Sequence, residues 1–185
     1  MAIMVMGYTA PKERKMESPA TETELYAFLD KQEIVYETYH HNPVFTVEEA
    51  QAARAGMEGG HSKNLFVRDK KKNHALIIAH EDQPIDMKDL AVKIGLGRLS
   101  FASPDRLMTH LGVSPGSVTP FSLLNAHRQA ATDERKILVV IDEKLLSYDL
   151  VYFHPLHNAA TTSISPKHLV KFIKTCGFES VIVTF

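Results

Sequence analysis

The chain has 185 residues, enough for one domain with a sizeable core, and 44% of them are hydrophobic, ordinary for a packed globular interior. A formal net charge of −1 excludes a general nucleic-acid coat, which neutralises phosphates with a large basic excess, but leaves room for a small site that grips one RNA end. The single cysteine, Cys176, excludes an intramolecular disulfide and a cysteine-built zinc site.

Met1 to about Pro19 has no clear period and reads as a loose tail ahead of a structured unit at residues 20–185. "MAIMVMGYTAPKERKM" lacks a basic segment before its apolar part, so it makes a poor signal peptide. No apolar run approaches the roughly 20 residues of a membrane helix. The cytoplasm is the expected compartment.

The first helix is expected over "TETELYAFLDKQ", where Thr21 and Glu24 fit a capping box and Leu25, Phe28 and Leu29 share a face. Ile34–His40 is rich in β-formers and alternates, so it reads as a strand. "TVEEAQAARA" restarts a helix, with Thr46 as cap and Glu49 completing the box. "NLFVRDKKKNHALIIAH" reads as two strands around a solvated turn at Lys70–Lys72. "DMKDLAVKIG" is a helix ending near Gly95, and "RLSFAS" a short strand. "SPDRLMTHLG" has Ser103 as cap, Pro104 at its first position and Gly112 at its stop. The stretch "GVSPGSVTPF" that follows holds two glycines and two prolines and reads as a loop built to keep one shape. "KILVVIDE", "LVYFHP" and "TTSIS" read as strands. "SPKHLVKFIKTCG" is a helix capped by Ser165 with Pro166 at its first position, and "SVIVTF" is a last strand. Helices and hairpins interleave irregularly, which predicts a mixed sheet covered by helices.

No nucleophile elbow, P-loop or H-E-x-x-H occurs. Ten histidines invite a metal reading, yet His40 and His41 are neighbours on a strand and point to opposite faces; no metal site is expected. Cys176 ends an apolar helix and reads as core. Three polar stretches remain: "HSKNLFV" with Lys63 and Asn64, the Gly/Pro loop, and "FHPLHNAATTSIS" with His154, His157, Asn158, Thr161 and Thr162.

Together with "HNPVFTVEEA" and the ending "VIVTF", these stretches resemble the prolyl-tRNA editing (YbaK-like, synthetase-associated) family over Thr21–Phe185, and most of all its freestanding branch acting on alanine mischarged to proline tRNA. The resemblance implies a single mixed α/β domain with a largely antiparallel central sheet, and a hydrolase of aminoacyl-tRNA that needs no cofactor. Its partner is mischarged tRNA(Pro), with prolyl-tRNA synthetase as a second, and neither DNA nor membrane is implied; the chain is expected as a monomer or weak dimer. Lys63 corresponds to the family lysine. The family's Gly-x-x-x-Pro loop falls on Gly112 or on Gly116 to Pro120, so both glycines are carried as catalytic candidates. Substrate contacts are expected from Val44, Phe45 and Thr46, with Pro43 beside them, and from Asn64, Ser114, Pro115, Val118, Thr119, Pro120, His154, Asn158 and Thr161. Lys70–Lys72 and Arg98 are candidate RNA contacts. Cysteine or another small residue on the same tRNA is the nearest alternative substrate. A non-catalytic tRNA- or synthetase-binding module and a generic small-ester hydrolase are the alternatives from other classes.

Overall fold

A computed structural model describes residues 18–42, 56–129 and 137–185. Helix α1 spans Glu22–Lys31, and its capping box forms as the sequence dictates: Thr21 Oγ1 accepts the Glu24 N–H while Glu24 reaches back to the Thr21 N–H. Strand β1 (Tyr36–His40) starts two residues later than expected. The helix expected at Thr46 lies outside the described residues. Strands β2 (Gly60–Arg68) and β3 (His74–His80) form the expected hairpin around the exposed Lys70–Lys72 turn.

Helix α2 (Met87–Lys93), the two-residue strand β4 (Ser100–Phe101) and helix α3 (Pro104–Leu111) follow. Ser103 holds the N-cap position of α3, but its hydroxyl caps nothing and takes a bond from Arg106 at 3.3 Å instead. The Gly/Pro stretch leads into a short 3₁₀ turn (Pro120–Ser122) and helix α4 (Leu123–Gln129), neither of which the sequence reading anticipated. Strands β5 (Ile137–Asp142), β6 (Val151–Phe153) and β7 (Ala160–Ile164), helix α5 (Pro166–Thr175) and strand β8 (Ser180–Val183) complete the chain. Ser165 caps α5 through the His168 N–H, as expected.

The strands make one eight-stranded sheet in the order β1-β7-β6-β2-β3-β5-β8, with β4 also on β2. Four pairings are antiparallel, and β2–β6, β3–β5 and β5–β8 are parallel. The sheet is thus mixed, as expected, but its antiparallel majority is narrow.

Strand alternation splits the buried residues between two faces. Phe66, Leu76, Ile78, Val139, Ile141, Val151, Phe153 and Ile164 form the larger core with α1, α3, α4 and α5. Val67, Ala75, Ile77, Ala79 and Val140 form the smaller one with Leu90 and Ala91 of α2. Phe121 is fully buried in the larger core and meets Phe153 and Phe172 edge-on, at centroid distances of 5.9 and 5.4 Å.

Candidate functional site

Lys63 lies in β2 opposite Ala79. Val67 and Ala79 belong to the core under α2, so alternation points Lys63 to that same side. Its ammonium donates to the Gln83 carbonyl in the turn after β3, and no other described residue takes its two remaining donors.

His61 of β2 pairs with Tyr152 of β6 in parallel, and their rings stack at 4.8 Å on one face. The paired register ends there, and β6 itself ends at Phe153, one residue before His154. Phe153 pairs with Thr162, and Thr161, its neighbour in β7, pairs with Tyr39 of β1.

Hydrogen bonds orient two histidine rings near Thr161 and Ala160. His154 Nδ1 donates to the Ala160 carbonyl at 3.1 Å, and in neutral imidazole this leaves Nε2 as the acceptor. His41 Nδ1 donates to its neighbour's carbonyl, Asn42 O, at 2.8 Å, so its Nε2 accepts the Thr161 hydroxyl at 3.0 Å. The Tyr39 phenol is pushed up to about 12, chiefly by its bond to Glu37. His40 turns to the other face, 3.7 Å from Glu22 of α1, the opposition that neighbouring strand positions require.

The β6–β7 turn is pinned from its far end as well. His157 Nδ1 accepts the Ala159 N–H at 3.1 Å while its Nε2 faces Glu22 at 3.3 Å. Tyr26 donates to the same carboxylate at 2.6 Å and lies 3.4 Å from Thr162. Burial and that carboxylate push the Tyr26 phenol up to about 12. Asn158 is half-buried within the turn.

The Gly/Pro loop takes the shape its composition suggested. Gly112 closes α3 in the left-handed region at φ 63°, and its N–H is spent on Met108 O at 3.2 Å. Ser114 to Ser117 form a tight turn closed by Ser117 N–H to Ser114 O at 3.1 Å, with Pro115 at its second position and Gly116 at its third, φ 83°. Ser114, Pro115 and Gly116 are exposed at the tip. Val113 and Val118 pack into the larger core, and Thr119 and Pro120 are buried. The Thr119 side chain caps the 3₁₀ turn through the Phe121 N–H at 3.3 Å. The loop therefore roots on the face opposite Lys63.

Asn64 points to the loop's face and donates through Nδ2 to Ser62 Oγ at 3.2 Å. Val44, Phe45 and Thr46 lie outside the described residues. Arg98 is exposed near α2. The sequence reading missed Tyr39, His41 and Tyr152. The period-2 alternation of Ile34–His40 carried the signal for Tyr39, whose odd position shares a face with His41.

Residues 41–172 match the aminoacyl-tRNA editing domain, and the chain belongs to that family of aminoacyl-tRNA hydrolases. Among its relatives is the prolyl-tRNA editing protein ProX of Acetoanaerobium sticklandii, 40% identical over 152 residues that cover 82% of this chain and 89% of that protein. The prolyl-tRNA synthetase associated domain-containing protein 1 of Mus musculus is 36% identical over 154 residues, 80% of this chain and 87% of its own. A solved structure described as a candidate trans-editing enzyme for prolyl-tRNA synthetase shares the fold, with a TM-score of 0.65 at 18% identity over 91% of this chain and 99% of that one. No described helix is long and apolar enough to cross a membrane.

Proposed function

We propose that the chain is a trans-acting deacylase that removes alanine from mischarged proline tRNA in the cytoplasm, with residues 20–185 as the editing unit. The observation that carries this reading is Lys63, whose ammonium on the α2 side of β2 keeps two donors unspent among the described residues. Two relatives named for prolyl-tRNA editing or for the prolyl-tRNA synthetase supply the tRNA, and prolyl-tRNA synthetase is the enzyme whose errors are cleared.

The chemistry asks little force of the protein, because an aminoacyl ester is already activated. A water oxygen bonds to the ester carbonyl carbon and the bond from that carbon to the ribose oxygen breaks. One water proton ends on the ribose oxygen, the other is released to solvent, and the amino acid leaves as its carboxylate. What the protein supplies is position and donors for the oxygen that gains charge. Lys63 brings a compact cation with two unspent donors. Of the two candidate glycines, Gly116 is the better donor, because the Gly112 amide is already spent on α3.

Selectivity is the purpose of such a site. A missing methylene or two changes binding by only about 1–3 kcal/mol each, so a synthetase for proline admits some alanine. A second pocket too small for proline clears the error and spares the correct product. Single-turnover deacylation of alanyl-, cysteinyl-, seryl- and prolyl-tRNA(Pro) tests this directly. Alanine is expected to leave fast and proline to stay, with Lys63→Ala slowing the reaction about a hundredfold, as loss of a charge-stabilising donor does. Faster loss of cysteine than of alanine would move the substrate to its nearest alternative. No turnover of any charged tRNA would leave a binding module.

A further inference from the structure

Strand β2 is paired along one side and only at its ends on the other. β3 runs beside it from Ser62 to Arg68. On the opposite side β6 covers Gly60 and His61, and β4 covers Val67 and Arg68. Between them lies a gap in the ladder.

Peptide groups point alternately to the two sides of a strand. The Gly60 N–H goes to Leu150 O and the Phe66 carbonyl takes the Ala102 N–H, both at 2.9 Å and both on the gap side. The His61 carbonyl takes the Glu81 N–H at 2.9 Å on the β3 side. Even-numbered residues therefore face the gap, and Asn64 is the one at its centre. No described strand pairs with Asn64 on the gap side. Its side chain adds an unspent group. Ser62 Oγ donates to Tyr152 O at 2.9 Å, so its oxygen can only accept from Asn64 Nδ2, and this orients the amide. Asn64 Oδ1 is then a buried acceptor without a partner among the described residues. Buried polar groups are almost always paired, so a buried, unspent Oδ1 beside an unpaired stretch of ladder marks a place kept for a ligand.

An aminoacyl ester carries matching groups. Its α-carbon bears an ammonium and an ester carbonyl, a donor and an acceptor in the order and spacing of one strand residue's N–H and C=O. Two residues of an antiparallel hydrogen-bonded pair exchange both bonds. We propose that the aminoacyl group docks on β2 as a one-residue strand, its ammonium donating to the Asn64 carbonyl and its ester carbonyl accepting the Asn64 N–H. This rests on the deacylase reading above. The docked carbonyl lies in the plane of the sheet, one residue from Lys63 on the same strand. The contacts use only atoms common to all L-amino acids, so Asn64 holds the backbone and the surrounding walls judge the side chain.

The test replaces the Asn64 amide by an ester linkage, which exchanges its N–H for an oxygen and leaves the side chain. Because that N–H faces the unpaired gap, the melting temperature is expected to hold. Single-turnover deacylation of alanyl-tRNA(Pro) is expected to fall about a hundredfold, the loss typical of one removed oxyanion donor. An unchanged rate overturns the docking and leaves the deacylase reading intact, whereas a native protein that hydrolyses no aminoacyl-tRNA overturns both. Should the ester variant not fold, the native protein decides by nuclear magnetic resonance with 3′-alanylamino-3′-deoxyadenosine, which cannot be hydrolysed as an ester. A shifted, exchange-protected Asn64 amide supports the docking. A complex that moves the Lys63 and His154 signals and leaves the Asn64 amide untouched refutes it.

Discussion

His80 is held in one neutral form by its two ring bonds. Its Nδ1 accepts the Asp82 N–H at 3.3 Å, so Nε2 carries the proton toward the Tyr148 hydroxyl at 3.1 Å. Burial, then Lys144, pulls its pKa below the ordinary 6.5, against the opposing pull of Asp82, Glu81 and Asp142. The folded state thus binds this proton less readily than the unfolded chain. Its stabilising contribution is complete above pH 6.5 and is lost as pH falls through the lower folded value. Melting temperature is expected to drop as pH falls below 6.5, and His80→Asn, which keeps an acceptor near Nδ1, to flatten that drop. Glycine gives a second prediction at this scale. Gly116→Ala is expected to cost about 1 kcal/mol for its positive φ and to slow deacylation beyond that cost, whereas Gly112→Ala loses stability and keeps its rate. Melting curves beside single-turnover rates separate the two. Residue chemistry was readable in part: Cys176 was expected in the core and is 2% exposed. Which glycine keeps an unspent amide was not readable, because it depends on where α3 stops.

Asn125 joins three elements. From α4 it donates to Leu111 O at the end of α3 at 2.9 Å and accepts the Ala20 N–H ahead of α1 at 2.6 Å. It is 1% exposed, so Asn125→Ala leaves two buried backbone groups unpaired and is expected to cost roughly 2–4 kcal/mol, read by urea denaturation. The helices at α1, α2, α3 and α5 were legible because their ends carry side-chain signals. Helix α4 was not, since its entry signal, Thr119 followed by Pro120, sits inside a stretch whose glycines and prolines spoke first. The 3₁₀ turn absorbs those residues into the core and makes half of the loop structural.

Across the whole molecule, the larger core carries most of the stability. Phe121→Ala is expected to cost about 3–5 kcal/mol, since it empties a site between Phe153 and Phe172. At about 2–4 °C per kcal/mol for a chain of this size, calorimetry would register a fall of roughly 6–20 °C. A mixed, helix-covered sheet was legible from the alternation of patterns. The strand order was not, because β6 and β4 share one side of β2 and no local pattern encodes a long-range neighbour. Lys63, His154 and Thr161 were named from the sequence, but how they stand to one another depends on strand register, which no local pattern encodes.

The β6 side of β2 is held by two residue pairs, Gly60 with Val151 and His61 with Tyr152. Strands β1, β7 and β6 therefore form a leaf stitched to the remaining strands by a narrow seam, and that leaf bears His154, Asn158 and Thr161. Side chains on it can be exchanged with little disturbance to the pairing of β3 with β5, where the two cores meet. An architecture of this kind separates the residues proposed to meet the substrate from the strands that hold the two cores together.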